Sequence, residues 1–480
     1  MTPQLVIPFG SADWNAVAPM TIVALSALLV ILADLILPKH LRRPVGLGVA
    51  IAALAVAGVV ALQAWGHPYA AFGDAFVLGG FAIVFQEIVI VAAIFSLLLA
   101  FTLGREDQAG GAIALMLWSA SGAMLMAGAA NFMTIFLGLE LLSLALYCLC
   151  GLSPRAGARE SALKYLILSS TASAFLLYGM ALIFGATGSV SLADIAGPNI
   201  SNAVFDIGCG MFLIGICFKL SLVPFHTWTP DVYEGAPLPI TAFMSVVTKA
   251  GTLAVLARFA YALAPLANAK AILAPLWIVA AISMIVGNVA ALAQSDIKRL
   301  LAYSGIAQVA YIVAAMAGTT QQGLRYAIFY LGAYTFMNIG AFAVVALLSR
   351  DREEGARLSS FAGLGYRQPI LAGAMTFFLL SLAGLPPTAG FTGKILILAT
   401  DVNGGYPWLA VLLIVGTAIS AYAYFKIVLA MYGRTTGAQI QRAVKPLSPL
   451  PWVGVAICAV ATLVLGLYPI LPSDIVPLVK

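Results

Sequence analysis

Charge is what this chain has least of. Only 9% of its 480 residues are Asp, Glu, Lys or Arg, while 62% are hydrophobic and the mean hydropathy is +1.04. Ordinary soluble domains carry roughly 25% charged residues, so a soluble globular chain is excluded and a lipid environment implied. Histidine is scarcer still, with three in all and no second one near His226, so a metal site built on a histidine pair has no support. The five cysteines, Cys148, Cys150, Cys209, Cys217 and Cys458, lie in apolar stretches and form no Cys-x-x-Cys pair. That argues against an iron–sulfur site or a disulfide framework and leaves them as packing residues. The formal charge of +6 is not read as a nucleic-acid signature, because basic residues of membrane proteins collect in cytoplasmic loops.

What is present is a series of long apolar stretches. A bilayer core of about 30 Å takes about 20 such residues per helix. On that measure the chain is an all-α polytopic membrane protein, a single transmembrane domain over 1–480. About fourteen spans are predicted, at 17–37, 45–65, 81–103, 111–129, 131–152, 161–184, 205–228, 237–263, 271–293, 299–317, 323–348, 369–400, 408–432 and 451–469. The first stretch has neither a basic n-region nor a small-residue cleavage site, and a second follows at once, so it reads as a span and not a signal peptide. No sequence is left over for a soluble catalytic domain.

Basic residues follow alternate spans: Lys39, Arg42 and Arg43; Arg105; Arg155 and Arg159; Lys298 and Arg299; Arg350, Arg352, Arg357 and Arg367; Arg434, Arg442 and Lys445. The opposite loops hold Lys270 and Lys480, with acids such as Asp74, Asp194 and Asp401. This asymmetry puts both termini away from the cytoplasm.

The chain also matches itself. At an offset of 161, Lys164 to Gly179 aligns with Arg325 to Gly340, pairing Tyr165 with Tyr326, Ile167 with Ile328, Ala172 with Ala333, Phe175 with Phe336 and Gly179 with Gly340. At an offset of 160, Leu220-Ser221-Leu222 meets Leu380-Ser381-Leu382. The implied unit is five helices, spans 4–8 over 111–263 and spans 9–13 over 271–432. An odd number of spans turns the second copy upside down, the inverted-repeat plan of many transporters. Pro224 interrupts span 7, and Gly384-Leu385-Pro386-Pro387-Thr388-Ala389-Gly390 cuts span 12, which is too long for one straight crossing. Broken helices often line ion paths.

An ionisable group deep in a span costs several kcal/mol and marks a functional candidate. Four qualify: Glu140 in span 5, Lys219 in span 7, Lys249 in span 8 and Lys394 just past the span 12 break. Spans 5 and 7 run in the same direction, so Glu140 and Lys219 differ by about four residues in depth, roughly 6 Å, which a lysine can bridge. Burial disfavours an ammonium and a carboxylate favours it, so a changing partner would switch the lysine between holding and releasing a proton. The plainer reading is a Glu–Lys lock between helices. It fits Lys249 and Lys394 less well, since neither has an evident local acid. His226, seven residues after Lys219, would share its helix face if the helix survives Pro224, as a relay or as a packing histidine. Lys164, near the start of span 6, either joins the path or snorkels to the headgroups. Lys426 and Asp34 read as interfacial, and Glu87 as a partner-helix contact.

The run from Phe218-Lys219-Leu220-Ser221 through Pro224-Phe225-His226-Thr227-Trp228-Thr229-Pro230-Asp231 to Glu234-Gly235-Ala236-Pro237 resembles the signature of the antiporter-like subunits of respiratory complex I and of Mrp-type cation/proton antiporters. Asp296 to Ser304 is similar to the family's helix 10 segment, and Gly138-Leu139-Glu140 to its helix 5 glutamate. Around span 12, Ser381 to Lys394 resembles subunit N. A glutamate near the last position would suit subunit M, and subunit L is a longer protein.

The resemblance implies a bacterial-type proton-translocating subunit of NADH:quinone oxidoreductase, in the inner membrane with both termini periplasmic. It assigns the proton path to Glu140, Lys219, Lys249 and Lys394, with His226 and Lys164 as intermediates. It also implies that the chain binds no cofactor or metal, while NADH, FMN, iron–sulfur clusters and quinone belong to the wider complex. The implied partners are subunits M, L, K and J and membrane lipids, with no nucleic acid. An Mrp-type antiporter subunit and a purely structural spacer are the competing readings.

Overall fold

With few polar side chains to help, a backbone in lipid must satisfy its own hydrogen bonds, and a helix does so within one segment. The computed structural model describes residues 10–100, 108–195, 203–349, 356–433 and 449–471. Arg105, Arg350, Arg352, Arg434, Arg442, Lys445 and Lys480, part of the topology argument, lie outside the described residues.

The first helices are α1 (Ser11–Ile36), α2 (Lys39–Gln63), α3 (Gly80–Leu99), α4 (Ala109–Gly128), α5 (Phe132–Cys150), α6 (Ala156–Thr187), α7 (Ala203–Leu220), α8 (Trp228–Gly235) and α9 (Leu238–Leu263). They are followed by α10 (Ala269–Leu292), α11 (Ile297–Ala315), α12 (Gln321–Ser349), α13 (Leu364–Arg367), α14 (Pro369–Ala383), α15 (Ala389–Asn403), α16 (Pro407–Tyr432) and α17 (Leu450–Leu467). Among the described residues, twelve helices are long and apolar enough to cross a membrane; α11 and the 15-residue helices α14 and α15 are not among them. A hairpin absent from the sequence reading, β1 (Tyr69–Ala71) with β2 (Phe76–Leu78), joins α2 to α3 around the left-handed residues Phe72, Gly73 and Asp74.

α9 sits at the centre, packed on α3, α4, α5, α7 and α12, and its most apolar window is wholly buried. A helix apolar all round suits that place. α6, α16 and α17 lie outermost, each with only about a third or less of its window covered. Local signals set the helix starts. The Asn131 side chain accepts the Thr134 N–H at the head of α5, and Asp296 accepts the Arg299 N–H at the head of α11. Cys148 is exposed, unlike the other four cysteines, so packing does not explain it.

Both expected interruptions are present, and they share one geometry. α7 ends at Leu220, stopped by the left-handed Ser221 (φ +63°), with the Ser221 N–H on Phe218 O and the Leu222 N–H on Cys217 O. α14 ends at Gly384 (φ +84°), with the Gly384 N–H on Ser381 O and the Leu385 N–H on Leu380 O. Each is a Schellman-type stop, which closes orphan carbonyls with a left-handed residue. A cis proline follows three residues later in both, at Pro224 and Pro387. The geometry therefore pairs Ser221 with Gly384, three residues away from the sequence match of Ser221 with Ser381. The apolar Leu-Ser-Leu run is too common in membrane helices to hold register.

After its break, α15 returns so close to α14 that a Cβ on Gly390 would lie 1.8 Å from Ser381 O and 2.7 Å from Ser381 C. Gly390→Ala is expected to push α15 off α14 at a cost of about 1–3 kcal/mol, the range for overpacking. A lowered melting temperature of the purified complex, with less of this subunit retained, would report it.

Candidate functional site

The sequence singles out its ionisable side chains one at a time; the helices bury three of them, Lys219, Lys249 and Lys394. Lys219 and Lys249 are each 2% exposed and Lys394 is 4% exposed.

Lys219, in the last turn of α7, donates to Ser143 Oγ of α5 and to Ser169 Oγ of α6, both at 2.7 Å. Its ammonium also lies 5.1 Å from the Tyr165 ring centroid and 5.8 Å from that of Tyr147. Glu140, half-buried on α5, accepts from Ser173 Oγ at 2.6 Å. Among the described residues Glu140 and Lys219 make no ion pair within 4 Å, so the expected direct bridge is replaced by serines. Ser169 and Ser173 stand one turn apart on α6, so each charge reaches its own hydroxyl before it reaches the other charge.

Lys249 projects from the middle of α9 and donates to Lys219 O at 2.9 Å and to Ser221 Oγ at 2.5 Å. Thr229 Oγ1 donates to the same Ser221 hydroxyl. The ammonium therefore caps the negative end of the α7 dipole. Between the two lysines lie Tyr165 and Trp228, stacked at 4.7 Å, with Lys249 Nζ 5.3 Å from the Trp228 ring.

Lys394, in the second turn of α15, donates to Leu382 O at 2.9 Å and Ala383 O at 3.3 Å. Pairing Ser221 with Gly384 makes Leu382 the counterpart of Lys219, so the same carbonyl receives an ammonium at both breaks. The lysines come from different helices, which is why no sequence offset aligns them. Gln308 Nε2 shares Leu382 O at 3.1 Å and links to Tyr424 and Tyr330, and Lys394 Nζ lies 5.3 Å from the Tyr311 ring. Between the two halves, Asn338 Nδ2 donates to Ser245 Oγ, one turn from Lys249.

His226 is not on the Lys219 face. The helix ends at Leu220, and His226 lies in the irregular segment before α8, 6.4 Å from Tyr303 between ring centroids. A left-handed residue and Pro224 stop the helix, so seven-residue spacing no longer implies a shared face.

Lys164 lies elsewhere again. It pairs with Glu160 at 2.7 Å and Asp231 at 2.9 Å, and Arg299 bridges Asp231 and Glu234, each at 2.7 Å. These residues and Arg155, Asp296 and Arg357 line a cavity of about 1170 Å³. Outside the spans, burial raises the Asp296 carboxyl above the ordinary range. Lys298, expected in a basic loop, is buried and donates to the carbonyls of Glu234 and Ala236 at the end of α8. Lys426 likewise donates to Leu292 O and Gln294 O at the end of α10.

Sequence reasoning missed Ser169, Ser173, Gln308, Tyr311, Tyr424 and Asn338, because hydroxyl and amide side chains in a helix carry no charge signal. The four-residue spacing of Ser169 and Ser173 was the one available hint.

Comparison with known proteins identifies the family. Residues 129–420 match the family described as NADH:quinone oxidoreductase/Mrp antiporter, TM. NADH-quinone oxidoreductase subunit N 1 of Symbiobacterium thermophilum is 41% identical over 474 residues, covering 95% of this chain and 96% of its own. Subunit N of Chloroflexus aggregans is 38% identical, covering 97% and 96%. A chain of respiratory complex I from Thermus thermophilus superposes with a TM-score of 0.81 at 35% identity, over 94% of this chain and 97% of that one. A chain of the Mrp complex from Dietzia sp. reaches 0.82 at 20% identity over 94% of each, a likeness of fold.

Proposed function

The chain belongs to the subunit N family of NADH-quinone oxidoreductase, an integral membrane component of that complex's proton-translocating arm, and from this we propose that protons cross along the row Glu140, Lys219, Lys249 and Lys394. NADH oxidation and the FMN, iron–sulfur and quinone chemistry belong to other subunits, so redox energy reaches this chain through its neighbours. The proposed neighbours are subunits M and L on the arm, with the small subunits K and J. The membrane is the bacterial inner membrane, with both termini periplasmic and the Lys164 cavity opening to the cytoplasm. Lys164 and Asp231 would then stand at the inlet, with His226 beside the break above them.

Fourteen crossings are proposed, α7 with α8 and α14 with α15 each making one. Ten of them form two inverted five-helix units, 111–263 and 271–432. Three observations support that division: the matched breaks, the long third helix of each unit, and the contacts of Gly179 on the α7 backbone at Phe212 and of Gly340 on the Phe378 ring of α14.

One observation carries the transport reading. Among the described residues, none of the three lysines of the row, Lys219, Lys249 and Lys394, makes an ion pair within 4 Å; each is held by hydroxyls or carbonyls that accept from it. A helix lock needs a counter-charge, and an uncompensated buried ammonium is costly. A group that loads and unloads a proton needs polar acceptors and no fixed partner. The lock description suits Lys164 and Arg299.

Ser143→Ala with Ser169→Ala separates transport from the spacer reading, because it removes both hydroxyl partners of Lys219 and little volume. Two lost hydrogen bonds at about 0.5–1.5 kcal/mol each correspond to a roughly fivefold or larger change in the loaded state of Lys219. NADH-driven proton movement per electron in vesicles is expected to fall with subunit content unchanged. If melting temperature falls while protons per electron hold, the spacer reading stands.

A further inference from the structure

Among the described residues Asp401 is the one acidic residue that is fully buried, and the proposed row leaves it unused. Sequence reading assigns it to a loop beyond span 12. In the structure α15 continues to Asn403, and Asp401 lies inside it, 1% exposed. α15 runs on because Ile397 and Thr400 continue its buried stripe, and the turn to α16 begins only at Gly404 and Gly405.

Among the described residues neither carboxylate oxygen of Asp401 has a hydrogen-bond partner. Its backbone carbonyl accepts the Tyr406 N–H at 2.8 Å. The side chain therefore caps no helix and locks no neighbour. It also lies in the last turn of α15, where the helix dipole opposes a negative charge. Fold stability gains nothing visible from an acid here, and burying an unpaired carboxylate is expensive.

Its position relative to Lys394 gives the acid a use. Seven residues separate them, which puts both on one stripe of α15, two turns or roughly 10 Å apart along the axis. Lys394 sits at the break in mid-span, and Asp401 in the last turn of the same half-helix, three residues before Gly404, which faces Gly318.

We propose that Asp401 is the proton-carrying group after Lys394, taking a proton released by that lysine and passing it to the membrane face at the α15–α16 turn. In the transfer the Lys394 ammonium becomes an amine and the Asp401 carboxylate becomes a carboxylic acid. Release to bulk water at the turn then restores the carboxylate. The separation exceeds direct contact, so the proton travels through intervening water and no other reactant is consumed. Asp401 has the features of such a station: it is buried, unpaired, and aligned with the donor toward one surface. The inference rests on the proposed transport reading, and its test separates the two.

Asp401→Asn keeps the shape, breaks no observed contact and removes the proton site. In the assembled complex reconstituted in vesicles, it is expected to lower coupled NADH oxidation about tenfold, less than a direct acid–base group usually contributes because water near the face can substitute in part. Protons per electron should fall to the value for Lys394→Ala, and Asp401→Glu should restore most of both. If Asp401→Asn matches the unaltered complex while Lys394→Ala is impaired, the Asp401 assignment is wrong and the transport reading survives. If Lys394→Ala is also unimpaired, the transport reading fails for this half and the inference falls with it. Should Asp401→Asn assemble poorly, Asp401→Ser is measured in its place, and full coupling in that variant overturns the assignment.

Discussion

Lys219→Ala is expected to assemble into the complex and to slow proton transfer through this subunit roughly a hundredfold, the lower end of what a positioned acid–base group contributes. Lys219 is the junction of the first half. Its ammonium reaches Ser143 and Ser169 toward Glu140, and its own carbonyl receives Lys249. Alanine leaves the backbone, and so the Lys249 contact, in place while removing the proton-bearing group. Ser143 still donates to Leu139 O, so that hydroxyl keeps a partner. Stability should fall by no more than about 1–3 kcal/mol, the cost of the polar group left unsatisfied. The measurement is NADH-driven proton movement per electron in reconstituted vesicles, with subunit content determined on the same preparation. Unchanged stoichiometry in a fully assembled variant would remove Lys219 from the path.

Glu140→Gln should also assemble and should impair coupling nearly as much. The substitution keeps shape and an acceptor for the Ser173 hydroxyl, which Glu140 Oε1 accepts at 2.6 Å, so packing is unaffected. What disappears is a negative charge beyond the serines that hold Lys219. Unit charges about 8 Å apart at an effective dielectric of about 20 interact by roughly 2 kcal/mol, a factor of about 30 in proton occupancy. Without that charge Lys219 is loaded less often, and a step that needs a loaded lysine beside Lys249 becomes rare. Glu140→Asp should be milder, because the charge remains and only its reach shortens. Since the serines intervene, Glu140 acts on Lys219 through its field and not by contact, so Glu140→Gln should leave the melting temperature nearly unchanged while protons per electron fall. A large stability loss with normal coupling would instead make Glu140 a structural partner.

Membrane residence, the sequence of apolar helices, the two interruptions and the lysines Lys219, Lys249 and Lys394 inside the spans were all legible in the chain itself. Each depends on local chemistry: a charge in a long apolar run stands out, and a run such as Gly384 to Gly390, with two adjacent prolines, cannot continue a helix. Tertiary structure alone decided which carbonyl each lysine meets, that serines stand between Glu140 and Lys219, that His226 leaves the helix face, and that Asp401 is buried. Lys249 and Lys394 cap corresponding carbonyls from helices that no alignment pairs, since the shared feature is a point in space between elements far apart in the chain. Burial of Asp401 likewise depends on the neighbouring helices packed on α15, and the composition of α15 carries no trace of what covers it.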